Sequence, residues 1–237
     1  MRAMIKIVDG ASASKLAAPV DGGACTLLGD LTSACSATDQ QCLESCSEAV
    51  SRDPGGVLLH VGCGAASRSA IPRRWRGESW RHVRLDIDPA VQPDVIGDIR
   101  DMPAVANASV DVVFSSHNLE HVYAHEVPSV LGEFRRVMKP GGTVCVTLPD
   151  LQEVARHVVE GRLEQPLYTS PSGPISALDV LYGFNKALTR GHLFMAHKTG
   201  FTADSLEAAL VRAGFVNVHC VRRPADFALW ATANKPT

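Results

Sequence analysis

From residue 57 onward the chain alternates short apolar runs with amphipathic stretches. The runs at 57–61, 111–114 and 143–148 are β-branched and nearly unbroken, as expected of strands buried on both faces of a parallel sheet. Val127, Val130, Leu131, Phe134, Val137 and Met138 recur at three- and four-residue steps, which predicts a helix with one apolar face. Pro128 is tolerable only near that helix's start, and Lys139-Pro140-Gly141-Gly142 stops it. Thr202 opens another helix, with Leu206 and Leu210 on one face and Gly214 at its end. The apolar-rich stretches 215–221 and 227–231 read as a closing hairpin. Strands alternating with helices argue for a doubly wound α/β sheet, with ligands bound beyond the carboxyl ends of its strands.

Two regions depart from this rhythm. Before Asp53-Pro54-Gly55-Gly56, residues 1–52 form an extension in which Thr38-Asp39-Gln40-Gln41 reads as a capping box opening a helix. Residues 53–237 then make the main domain. Within it, residues 161–200 are broken repeatedly by Pro and Gly, so the segment is more loop than helix before Ile175.

The first run, Val57-Leu58-Leu59-His60-Val61, ends in Gly62-Cys63-Gly64. About twenty residues later His82-Val83-Arg84-Leu85 ends in Asp86, where a carboxylate can accept hydrogen bonds from ribose hydroxyls. The third glycine of a dinucleotide fingerprint is absent, since Ser67 occupies its place, so a ligand without a pyrophosphate fits better. Asp94-Val95-Ile96-Gly97-Asp98-Ile99 follows as a third strand ending in Asp98, then 109–122 as a fourth strand and its loop. With the helix at 133–138 and the strand at 143–148, these segments resemble, in order, the class I S-adenosylmethionine-dependent methyltransferases.

The resemblance covers residues 55–150 and implies a Rossmann-like sheet of seven mostly parallel strands with a C-terminal antiparallel strand. It implies S-adenosylmethionine as cofactor, held by Gly62, Cys63, Gly64, Asp86, Ile87, Asp98, Ile99, Ser116 and His117. N-terminal helices in such enzymes often cap the pocket, and an insertion such as 161–200 usually builds a substrate lid.

A chain of 237 residues with 46% apolar content suits one domain with additions. A net charge of −2 argues against a dedicated nucleic-acid binder, and the cluster Arg73, Arg74, Arg76, Arg81 and Arg84 reads as a solvated face. No apolar run reaches bilayer-spanning length, and the first residues lack a signal peptide's apolar core, so a cytoplasmic location is expected, with no membrane partner. Cysteines should then be mostly reduced. Cys25, Cys35, Cys42 and Cys46 crowd the extension without a Cys-x-x-Cys pair, so no metal site is expected there and Cys42 and Cys46 read as small buried hydrophobes.

Methyl transfer from a sulfonium is an in-line displacement, so the protein must align a nucleophile and accept a proton where one leaves. His117 and His121 follow the fourth strand and are the candidate catalytic residues, because imidazole titrates near neutrality. Asn118 can orient the substrate or the methionine end of the cofactor, while Glu120 reads as a helix-start charge. Tyr168, Tyr182, His192 and His197 are the lid's candidate substrate contacts. An Asn-Pro-Pro-Tyr tetrad is absent, which disfavours planar-amide or exocyclic-amine acceptors. A small-molecule acceptor and a monomer or homodimer are expected, with the acceptor atom open. The alternative is a non-catalytic adenine-nucleotide binder, or an accessory protein that senses metal or thiol chemistry.

Overall fold

The computed structural model describes residues 55–65, 68–170 and 172–237. The extension with its four cysteines, the boundary at Asp53 and Ser67 lie outside the described residues.

Nine strands are described: β1 Gly56–Val61, β2 Trp80–Asp86, β3 Val95–Ile96, β4 Val110–Ser116, β5 Met138–Pro149, β6 Pro166–Ser170, β7 Gly173–Ser176, β8 Val216–Arg223 and β9 Ala228–Asn234. Seven form one sheet in the order β3-β2-β1-β4-β5-β9-β8. Pairing is parallel from β3 through β5, and β9 runs antiparallel to both β5 and β8. The expected seven-stranded, mostly parallel sheet is therefore present. Strand order reverses between β1 and β4, the place where open α/β sheets leave a ligand crevice.

Alternation along β1 builds two cores. Leu59 and Val61 face the larger one, with Leu85, Val113 and Val146, covered by α1 (Val127–Val137) through Val130, Leu131, Phe134 and Val137. Every position of the apolar stripe at 127–138 is buried. Pro128 sits in the first turn as expected. Met138 already leaves the helix and pairs with Val110, so β5 begins earlier than its apolar run, with an irregularity across Lys139-Pro140-Gly141-Gly142. Leu58, Val112, Phe114 and Cys145 face the opposite core, closed by Ile71, Trp75 and Trp80.

Four elements correct or add to the sequence reading. Among the described residues the β1–β2 crossover holds two 3-10 turns, Arg68–Ala70 and Arg73–Trp75, and no α-helix. Pro72 lacks a backbone donor and would interrupt a longer helix. β3 is only two residues long and ends before Gly97, so Asp98 stands in a turn rather than closing a strand. The acid-capped helix α2 (Leu151–Val159) follows Asp150, whose carboxylate accepts the Gln152 and Glu153 N–H groups. In the insertion, β6 and β7 pair antiparallel where loop was expected. They are followed by the short helices α3 (Ala177–Tyr182) and α4 (Asn185–Leu188).

The last helix, α5 (Ala203–Arg212), is capped by Thr202 and Ser205 reciprocally, buries Leu206 and Leu210, and stops before Gly214 at φ +81°. Asp150 is fully buried, and Arg222 on β8 donates to it at 2.6 Å, tying the start of α2 to the sheet edge. No described helix is long and apolar enough to cross a membrane.

Candidate functional site

The carboxyl ends of β1, β2 and β4 converge on one loop. After β1 the chain turns through Gly62 at φ +58° and Gly64 at φ +52°, left-handed values that favour glycine. A Cβ on Gly62 would lie 2.3 Å from Asn118 Cγ, so the loop and the end of β4 touch without room for a side chain. A Cβ on Gly64 would meet nothing within 4 Å among the described residues, which leave open space above the loop. Asp86, at the end of β2, accepts the Gly64 N–H at 2.7 Å with one carboxylate oxygen and the Asp88 N–H at 2.9 Å with the other. Arg84 donates to the Gly64 carbonyl at 2.8 Å from the same strand.

Several expected cofactor residues are placed consistently with that role. Asp86 is buried at 8% exposure, and Ile87 beside it leaves 40% of its apolar surface uncovered. Ser116 ends β4, its hydroxyl 3.3 Å from that of Thr147. The Asn118 amide nitrogen is buried without a partner among the described residues. Others are partly engaged by the protein itself. Cys63 turns its thiol into the protein at 2% exposure, so only its backbone faces the loop. Ile99 is 7% exposed and belongs to the larger core. The Asp98 carboxylate is engaged by Arg100, whose hydrogen bonds hold it below the usual carboxylate range. The basic cluster also does more than face solvent: Arg84 organises the glycine loop, and the Arg74 guanidinium lies 4.0 Å over the Trp75 ring.

Beyond β4 lies the polar centre of the site. His117 adopts φ +47°, a conformation that costs a non-glycine residue on the order of 1 kcal/mol, and its N–H donates to Thr147 at 2.8 Å. Its ring sits in a cleft with about half of its surface accessible. Glu120 stands in the first turn of the next 3-10 helix, Leu119–His121, as a helix-start acid does, but is buried at 2% exposure. Neither Glu120 carboxylate oxygen has a hydrogen-bond partner among the described residues; Nδ1 of His117 is 3.4 Å from Oε1. The carboxylate's pull on His117 outweighs burial, which acts to lower that imidazole, and holds it above its ordinary value. Burial acts to raise Glu120, yet His117, His121 and His197 together keep it below the usual range.

The insertion closes over this turn. Lys198 and Thr199 donate backbone N–H groups to the Glu120 carbonyl at 2.8 and 3.2 Å. His197 packs edge-on against His121, with ring centroids 4.8 Å apart. A cavity of about 250 Å³ opens here, lined by Glu120, Leu148, Tyr182, His197 and Gly200 among others. The structure thus brings together His121, Tyr182 and His197 of the expected residues, with His117 alongside. His192 is exposed and does not line this cavity, while Tyr168 stacks on Phe227 with ring centroids 6.1 Å apart and stays near enough for the Glu120 charge to act on it. Glu120 is the residue that sequence reasoning missed; its only local signal is an acid set between Leu119 and Val122, both buried.

A glycine loop, a buried acid closing β2 and the strand order β3-β2-β1-β4-β5-β9-β8 define a class I methyltransferase fold. Residues 59–146 match the methyltransferase domain family. Residues 59–146, a little over a third of the chain, are thus similar to the class I S-adenosylmethionine-dependent methyltransferases, whose cofactor is S-adenosylmethionine. Among curated proteins the chain is similar to the malonyl-[acyl-carrier protein] O-methyltransferase of Serratia marcescens, with 33% identity over 40% of this chain and 38% of that protein. It is also similar to the dimethylglycine N-methyltransferase of Parasynechococcus marenigrum, with 30% identity over 48% of this chain and 43% of that one. The chain thus spans less than half the length of these relatives. An S-adenosylmethionine-dependent methyltransferase from Mesorhizobium loti shares the fold at TM-score 0.52 and 16% identity, over 80% of this chain and 95% of that one.

The residues present fit this cofactor. Space stands open above Gly64, an exposed isoleucine follows a buried ribose-type acid, and an unpartnered amide nitrogen lies beside Gly62.

Proposed function

We propose that this chain transfers a methyl group from S-adenosylmethionine to a small-molecule acceptor. The observation that carries the reading is the loop Gly62-Cys63-Gly64 held on the Asp86 carboxylate at 2.7 Å, beside open space and next to a half-exposed imidazole. When bound, the cofactor supplies an electrophilic methyl group on a positively charged sulfur. Asp86 receives the ribose hydroxyls while its remaining lone pairs keep the loop in place. Ile87 supplies apolar surface for the adenine, and Asn118 holds the methionine end.

His117 faces the acceptor. With the cofactor bound, its methyl group would be open to the acceptor's lone pair, and His117 would take the acceptor's proton where one is released. The cavity near Tyr182 and His197 supports a small acceptor, since its 250 Å³ suits a metabolite-sized group better than a macromolecular surface. The curated relatives carry O- and N-methyltransferase names, so the acceptor atom is left open between oxygen and nitrogen. The protein works in the cytoplasm as a monomer or homodimer, with 161–200 as its substrate lid and the cysteine-bearing extension as a cap over the pocket.

Calorimetric titration of the full chain with S-adenosylhomocysteine tests the cofactor half of this reading. Micromolar binding that is lost in Asp86→Ala supports it, and absence of binding to folded protein refutes it. His117→Ala then tests the acceptor half: cofactor affinity stays within threefold of wild type while turnover falls at least 100-fold. Unchanged turnover removes His117 from the mechanism.

A further inference from the structure

Glu120 is an anomaly that methyl transfer does not explain. A carboxylate at 2% exposure normally receives several hydrogen bonds, because burial without them is costly. Here both oxygens lack a hydrogen-bond partner among the described residues, although the carboxylate lines a cavity. Two histidines face it, and one donor atom from each of Glu120, His121 and His197 can be chosen so that all three lie within 4.8 Å of one another.

The hydrogen bonds of the two imidazoles decide what they offer. His121 Nδ1 is 3.1 Å from the Ala196 carbonyl, and His197 Nδ1 is 2.6 Å from the Val180 carbonyl. A carbonyl only accepts, so in each ring Nδ1 carries the hydrogen and donates it. In the neutral ring this leaves Nε2 with its lone pair free. Backbone carbonyls fixing the tautomer in this way are the outer support that metal-ligating histidines commonly have. Two imidazoles and one carboxylate form a ligand set for zinc, and for cobalt, manganese or ferrous ions of similar size.

We propose that Glu120, His121 and His197 bind one divalent transition-metal ion at the floor of the lid cavity. The site joins His121, in the turn after β4, to His197, near the end of the insertion and next to Ala196, whose carbonyl already binds His121, so the ion also fastens the lid. Around such an ion, with bonds of about 2.0–2.2 Å, ligand atoms stand roughly 3–3.5 Å apart, so side-chain rotation must draw the donors inward by about an ångström. Three protein ligands leave a coordination position open, and Glu120 and His197 both border the cavity, so that position serves an oxygen or nitrogen of whatever enters it. The proposal stands on these side chains alone and does not depend on methyl transfer.

The test is titration of the full, chelator-treated chain with cobalt(II), read by visible absorption and by calorimetry. Cobalt distinguishes this site from the four cysteines of residues 1–52, because thiolate ligation adds an intense sulfur-to-metal charge-transfer band that imidazole and carboxylate ligation lacks. The expected result is one equivalent bound at micromolar affinity, with ligand-field bands and no such thiolate band. Affinity falls at least 30-fold in Glu120→Gln and in His197→Ala. The His197 variant alters a half-buried lid residue and so keeps the test valid should Glu120→Gln misfold. The proposal is overturned by no binding below millimolar cobalt, by thiolate bands alone, or by binding that His197→Ala leaves unchanged.

Discussion

His60 lies at 3% exposure in the middle of β1, its ring 4.9 Å from that of Phe114. Burial, with the Arg84 and His82 charges adding and Asp86 opposing, lowers its pKa from 6.5 to about 4. The folded protein therefore keeps His60 neutral where the unfolded chain protonates it. Stability from this group is complete above pH 6.5, falls as pH drops from 6.5 to about 4, and is fully lost below that. The 2.5-unit gap corresponds to about 3.4 kcal/mol in full, and to about 2 kcal/mol between pH 7.5 and pH 5. With a urea dependence of about 2 kcal/mol/M, the unfolding midpoint drops by about 1 M over that interval. The measurement is a difference: wild type against His60→Leu, each unfolded in urea at pH 7.5 and pH 5. The leucine variant loses about 1 M less on acidification. Equal acid sensitivity of the two proteins would refute the reasoning.

Three further outcomes follow from the same geometry. Gly64→Ala strains a left-handed position by about 1–2 kcal/mol yet meets no atom of the described residues, so it folds while binding S-adenosylhomocysteine at least tenfold more weakly by calorimetry. Asp150→Ala removes the fully buried partner of Arg222 and the cap of α2 together, which lowers stability by about 3 kcal/mol in denaturant melts. Cys145 is pushed up to about 12 by burial and Cys63 is also raised, so mass-spectrometric mapping after alkylation of native protein at pH 7.5 finds both unmodified.

The features that could be read from the chain are those whose cause is local. The stripe from Val127 to Val137 needs only helical periodicity, and all five of its apolar residues are buried. Gly62, Gly64 and Asp86 are a turn and a strand end, and their contact at 2.7 Å follows from parallel pairing of β1 with β2. Misread features depended on partners distant in sequence. The hairpin of β6 and β7 contains two prolines, at positions 166 and 174, and reads as loop until its pairing supplies the missing order. Ile99 follows an acid as adenine-contacting residues do, yet the shortness of β3 lets it turn into the core. Helix α2 was hidden because its cap, Asp150, is explained by Arg222 on a strand 72 positions away.

Glu120 carries this logic furthest. In sequence it is an acid at the start of a turn, where solvent would be its natural setting. It is buried because residues 196–199 fold back over the turn and bond to its backbone and to His121. A buried carboxylate without hydrogen bonds costs several kcal/mol unless positive charge stands against it. Cationic candidates at hand are the imidazolium of His117 at 3.4 Å and an ion held with His121 and His197. The first meets only Oε1 and leaves the other oxygen unserved, whereas an ion at the centre of the three ligands satisfies the carboxylate and both free ring nitrogens together. Cost and geometry therefore favour the same occupant, and they do so at the wall of the cavity proposed for the acceptor.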